Sequence, residues 1–311
     1  MNEELNENVV PIFYAIDNIY LPYLGVSLES MIDNMSKERK YVVKILHTNI
    51  TEENIKRIMR LEQDNLSIEF VDLNYYVDQI KEKLYTRDYY TNTTYFRLFI
   101  PNLYPQYRKA IYIDADTIVL GDISELYDTD LGTNLIGGVT DGAVAAIPPF
   151  QDYVERVVGM ADSKNYFNAG MILMNLDELR KFDFQEKFIY LLGTIKFRVA
   201  QDQDYLNRLC KGRVTILDKH WNTFPVNKAA IEDESKIKII HYNLADKPWH
   251  TDGIAFEKYF WNYAKKSEFI DEIMKEKNSY TEEQRFADME GGKKLVELAI
   301  RETECVGDDR K

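Results

Sequence analysis

The chain has 311 residues, 45% of them apolar and 29% charged, the balance of a globular protein long enough to bury a substantial core. Its formal net charge of -13 excludes a duplex nucleic-acid binder, because phosphate contacts need a basic face. Two cysteines build no disulfide framework, no apolar run reaches about 18 residues, and the acidic start "MNEELNEN" is unlike a secretion signal, so a reducing cytoplasm is the expected location.

The first element is a strand at residues 9–16, "VVPIFYAI", a short apolar run rich in β-formers. Leu21, Leu24, Leu28, Met31 and Met35 then recur at helical spacing. "YVVKILHT" (41–48) reads as a second strand. Thr51 with Glu52 and Glu53 reads as an N-cap and acidic first turn, leading a helix whose apolar face is Ile55, Ile58 and Met59. "LSIEFVDL" (66–73) is a third strand. This alternation predicts a doubly wound, largely parallel α/β sheet, whose ligands sit beyond the carboxyl ends of the strands. A helix is expected near 94–100, strands at 110–114 and 134–140, and an amphipathic stretch at 151–160. After the apolar "YFNAGMILMNL" (166–176) come helices around 184–195 and 202–210, then short strands at 214–217 and 236–241. The last fifty residues have helical spacing with an interruption at Gly291–Gly292. One main domain with a helical C-terminal appendage is expected.

"AIYIDADTIVL" (110–120) ends an apolar run on two aspartates. Residues i and i+2 of an extended segment project to one side, roughly 6.5–7 Å apart. Asp114 and Asp116 would repel there unless they shared a proton or a cation, and a hard divalent metal bridging to phosphate relieves that repulsion. The same letters also fit a phosphohydrolase, with Asp114 as nucleophile, Asp116 as general acid and Thr117 behind them. His241 ends a later apolar run, and an imidazole beside carboxylates suits Mn²⁺ better than Ca²⁺. Lys247 follows six residues on and could meet a leaving diphosphate.

Asp17 and Tyr20, after the first strand, could hold a base through its imide N–H and by stacking, while Asp17 could equally cap a helix. "FNAG" (167–170) buries an asparagine that needs partners, and "QDQDYLN" (201–207) opens a helix with two carboxylates and two amides. Tyrosine occurs 22 times, many between Tyr75 and Tyr112, which reads as packing with the hydroxyl at the surface or as a carbohydrate-stacking face.

In this order, the pieces resemble glycosyltransferase family 8, over residues 9–250. The motifs that carry the resemblance are "TTYFRLFIPNLYP", "AIYIDADTIVLGDISELYDTDLG", "YFNAGMILMNL", "AQDQDYLN" and "HYNLADKPWH". The resemblance implies a GT-A nucleotide-sugar fold, an α/β architecture with a doubly wound, mixed, mostly parallel sheet and a small helical C-terminal region. The catalytic domain would span 1–262, with a nucleotide half to about 120 and a donor-sugar and acceptor half beyond it, and 263–311 would be the appendage.

The implied activity is a retaining transfer of glucose or galactose from a UDP-sugar to a glycan, a lipid-linked sugar or a glycoprotein, with Mn²⁺ or Mg²⁺ as cofactor. Asp114, Asp116 and His241 would be metal ligands; Ala15, Asp17 and Tyr20 would hold uracil; Lys247 would touch the diphosphate. Arg97, Asp141, Asn168, Asp202 and Gln203 would surround the donor sugar, with Gln203 and Asp204 facing the developing oxocarbenium ion. No nucleic acid and no membrane-spanning segment enters; peripheral membrane association and oligomeric state stay open.

The chain departs from the family pattern in places. Asn18 and Ile19 follow Asp17 where paired aspartates are common, Leu244 replaces a common glycine, and the tail "ETECVGDDRK" lacks the basic, aromatic character of membrane-meeting relatives. Two rivals remain: a phosphohydrolase of the haloacid-dehalogenase type, with "VGDDRK" imitating its last acidic motif, and a UDP-sugar-binding homologue without catalysis.

Overall fold

The computed structural model describes residues 8–80, 82 and 92–308. β1 (Val9–Ala15), β2 (Lys40–His47) and β3 (Leu66–Asp72) run parallel in the order β3-β2-β1, with α1 (Leu21–Asn34) and α2 (Glu52–Met59) between them in the chain. β4 (Lys109–Ile113) adds to the other side of β1 in the same direction. β5 (Thr117–Val119) leaves this sheet, and β6 (Ile136–Thr140), β7 (Phe167–Asn175) and β8 (Val214–Ile216) complete the order β3-β2-β1-β4-β7-β6-β8. β7 is antiparallel to both β4 and β6, so the sheet is mixed but mostly parallel.

β1 is buried from Val10 to Tyr14, which explains its continuous apolar run. The alternation of side chains then divides the interior in two. Val10, Ile12, Tyr14, Ile111, Ile113, Met171 and Leu173 enter one core, while Phe13, Ala110, Tyr112, Ile172 and Met174 enter the other, on the opposite face. Thr51 caps α2 as expected, its hydroxyl accepting from Asn54 N.

Several elements differ in kind or extent from the sequence reading. The helix near 94–100 is a 3₁₀ helix, Asn92–Phe99, followed by a short α-turn Ile100–Leu103. The amphipathic stretch is a short α-helix, Pro148–Tyr153, widening into a π-helical turn Val154–Val158 that Gly159 ends at φ +86°. The last strand is only β9 (Ile239–His241), because Glu234–Lys236 turns as 3₁₀.

Gly291 and Gly292 interrupt nothing: one helix runs from Glu282 to Asp308. Each glycine costs about 1 kcal/mol in a helix, and the packing of Leu295, Val296 and Ala299 against the second core offsets it. The helix Glu257–Ala264 crosses residue 262. Of the tyrosines between Tyr75 and Tyr112, Tyr95, Tyr104 and Tyr112 are packed inside and Tyr75 is exposed; Tyr85, Tyr89 and Tyr90 lie outside the described residues. Among the described residues, no helix is long and apolar enough to cross a membrane.

Candidate active site

The chain does not stay extended between Asp114 and Asp116; it bends at Ala115 and Asp116 before entering β5. Asp114 N donates to Gly170 O (2.7 Å), and the Thr117 hydroxyl donates back to Asp114 O (2.9 Å), fastening the bend. β5 pairs antiparallel with β9, with Thr117 opposite His241 and Tyr242 N donating to Asp116 O at 2.9 Å. A strand pair separated by some 120 residues thus brings the imidazole to the two aspartates.

One ligand atom each from Asp114, Asp116 and His241 lies within 4.8 Å of the others. His241 Nε2 is 3.2 Å from Asp116 Oδ1 and 4.0 Å from Asp114 Oδ2. Asp116 Oδ1 is buried without a hydrogen-bond partner. Its other oxygen pairs with the ammonium of Lys247, itself buried and also donating to Tyr242 O. Burial alone would raise the Asp116 carboxyl, but Lys247 and His241 outweigh it and hold it below the usual carboxylate range.

Arg97 connects this cluster to the other half of the site. Its buried guanidinium lies 4.1 Å from the centre of the Tyr112 ring, 3.3 Å from Asp114 Oδ1 and 3.2 Å from Asp202 Oδ2, and it also donates to the carbonyls of Thr94 and Ala169. Burial pushes Asp202 up to about 7; Arg97 opposes this, and Asp114 and Asp204 add to it. Asp141 caps the turn Gly142–Ala146 through Oδ1, while its Oδ2 accepts from Asn168 Nδ2 (3.0 Å) and Gln203 Nε2 (3.1 Å). Gln203 Oε1 accepts from Ala169 N at 2.9 Å.

Asp204 is engaged on both oxygens, accepting from Tyr166 Oη (2.6 Å), Tyr153 Oη (2.8 Å) and Ala200 N (2.9 Å). Burial pushes it up to about 6 against those hydrogen bonds.

At the far end, Ala15 closes β1 and Asp17 Oδ1 accepts from Ile19 N and Tyr20 N, shaping the turn into α1. Asp17 does not cap α1, whose N-cap is Tyr20 with no side-chain cap bond; it closes the turn before the helix through Oδ1, and Oδ2 takes no part in that turn. Asn18 braces the loop after β2 through Asn49 O, Thr51 N and Asn54 Nδ2. Every residue that the family resemblance assigns to the metal or donor site lines one cleft, which continues past Val144, Phe150 and Val154 to Leu295 of the C-terminal helix.

Sequence reasoning missed Asn222, whose buried amide joins His241 to Asn168, whereas Leu244, already marked in the sequence, lines the cleft at φ +50°. The departure from glycine flagged Leu244; nothing local flagged Asn222. The phosphohydrolase pattern loses its parts. Thr117 is spent on Asp114 O and Ser27 Oγ, and Asp308 ends a long helix rather than following a strand, with Asp309 outside the described residues.

A family model described as glycosyl transferase family 8 matches residues 11–253. A putative glycosyltransferase of Haemophilus influenzae is 29% identical over 246 residues, covering 77% of this chain and 72% of the relative. A lipopolysaccharide 1,2-glucosyltransferase of Escherichia coli is 28% identical over 255 residues, covering 76% and 72%. Among solved structures, the galactosyltransferase LgtC in complex with donor and acceptor sugar analogues superposes with a TM-score of 0.70 at 26% identity, over 83% of this chain and 96% of that one.

Proposed function

The chain belongs to glycosyltransferase family 8 and has the GT-A fold, and on that premise we propose that it is a metal-dependent retaining transferase. It would move a hexose, glucose or galactose, from a UDP-sugar to a glycan, lipid-linked or glycoprotein acceptor; relatives named for glucosyl and for galactosyl transfer both support a hexose. The observation that carries the reading is Asp116 Oδ1, a buried oxygen without a hydrogen-bond partner, 3.2 Å from an imidazole nitrogen and beside a second carboxylate. Two carboxylates and an imidazole make a donor set suited to Mn²⁺ or Mg²⁺, so the residues present fit the cofactor that the family implies.

Asp114, Asp116 and His241 would hold the cation, which supplies Lewis-acid stabilisation of the diphosphate, an effect typically worth several kcal/mol. Lys247 would leave part of its pairing with Asp116 for the phosphate oxygens, adding charge stabilisation as the anomeric bond breaks. Asp17 Oδ2 would accept the uracil imide N–H, Tyr20 would stack on the base, and the backbone at Ala15 would meet its edge. Arg97, Asp141, Asn168 and Asp202, already held by one another, would present a rigid surface to the sugar hydroxyls.

Gln203 would face the anomeric carbon. Asp204, with both oxygens taken, would support the start of the helix Asp202–Cys210 that carries Gln203. Residues to about 262 would form the catalytic domain, with 263–311 its helical appendage, and the two cysteines fit a reducing cytoplasm.

The reading is tested by thermal unfolding with UDP plus Mn²⁺ against p-nitrophenyl phosphate turnover. Stabilisation by UDP plus Mn²⁺ with no phosphatase activity supports the transferase, and phosphatase turnover overturns it.

A further inference from the structure

Between His241 and the donor-sugar side of the cleft runs a chain of amides whose direction is set at Asn168, the end away from His241. Gly170 N, which can only donate, gives its hydrogen bond to Asn168 Oδ1 at 2.9 Å. The Asp141 carboxylate accepts from Asn168 Nδ2 at 3.0 Å. Asn168 therefore cannot be flipped, and its Oδ1 also accepts from Asn222 Nδ2 at 3.0 Å. That fixes Asn222 in turn, leaving its Oδ1 3.1 Å from His241 Nδ1. A carbonyl oxygen only accepts, so Nδ1 carries the proton and Nε2 turns its lone pair toward Asp114 and Asp116.

We propose that Asn222 is a positioning residue of the metal site, holding His241 in the one tautomer whose lone pair faces the cation. It lies outside every motif by which the family resemblance was recognised, and it is almost wholly buried (1% exposed), so its amide has no water to turn to. Without its oxygen, the imidazole would gain by moving the proton to Nε2 and donating to Asp116 Oδ1, the atom that the cation needs. The inference rests on Asp114, Asp116 and His241 being the ligands, and its test separates the two.

Mn²⁺ binding is measured on the full chain by EPR of free and bound ion, with circular dichroism and thermal unfolding as controls for folding. The wild type binds, and Asn222→Leu and Asn222→Ala, which lack the acceptor, bind about 10- to 100-fold more weakly. Pulsed EPR of the bound ion shows imidazole ¹⁴N modulation in the wild type and loses it in both variants. Asn222→Asp restores an acceptor and binds no more weakly than the wild type, with the modulation present.

A wild type that fails to bind Mn²⁺ overturns the metal assignment itself. A wild type that binds, beside a folded Asn222→Leu or Asn222→Ala of equal affinity and unchanged modulation, overturns the role of Asn222 alone. Should neither of those variants fold, Asn222→Asp decides: retained affinity and modulation support the role, and their loss overturns it.

Discussion

Gly170 lies directly against His241: a Cβ built on Gly170 would stand 2.2 Å from the imidazole Cε1, and 2.6 Å from Asp114 Oδ2. The glycine of "FNAG" is thus required for space, and it is the side chains of His241 and Asp114 that require it, so Gly170→Ala must push the imidazole or Asp114 aside. The variant is expected to fold, at a cost of about 1–3 kcal/mol in urea unfolding, and to bind Mn²⁺ at least about tenfold more weakly in calorimetry. Unchanged affinity would show that the space between the two residues is not used.

Asp204 gives a pH signature. Its carboxyl is pushed up to about 6 by burial, against about 3.9 in an unfolded chain. The folded protein thus keeps a proton there that the unfolded chain releases between about pH 4 and 6. The stabilisation is complete below about pH 4 and is lost as pH rises through about 6, by at most about 3 kcal/mol. Asn at this position cannot ionise, so Asp204→Asn should lack that decline. Urea unfolding of both proteins at several pH values from 4 to 7.5 checks this; parallel profiles would contradict it.

Leu244 occupies the left-handed region at φ +50°, which costs a side-chain-bearing residue about 1–2 kcal/mol. Leu244→Gly should be close to neutral, because relief of that cost is offset by the chain entropy of glycine. Leu244→Val places a branched Cβ in the same conformation and should lower the unfolding free energy by about 1 kcal/mol or more. Equal melting temperatures for the two variants would contradict the assigned backbone geometry.

The strands were legible because fully buried strands leave continuous apolar runs, as in "VVPIFYAI", and Thr51 with two glutamates announced a capped helix. Residues 94–100 and 151–160 were legible as helical but not in kind, since 3₁₀ and π turns depend on packing more than on spacing. Gly291–Gly292 reads as an interruption because glycine is intrinsically costly in a helix, and the packed face of Leu295, Val296 and Ala299, which offsets that cost, exists only in the fold.

At the site, the local pattern around Asp114 and Asp116 left metal and phosphoryl chemistry open. The resemblance of distant blocks, not their spacing, chose between them. Asn222 was illegible because its partners meet it only in the fold: the adjacent Thr223 bridges β9 at Ile240, which sets Asn222 beside His241, and Asn168 comes from β7.

Release of UDP from UDP-glucose and UDP-galactose, with Mn²⁺ and then with EDTA, on the wild type and on Asp116→Asn, tests the central claim most directly. The account predicts Mn²⁺-dependent release from at least one donor, abolished by EDTA and by the substitution while circular dichroism and melting show a folded protein. Undiminished release in EDTA or in Asp116→Asn would contradict it.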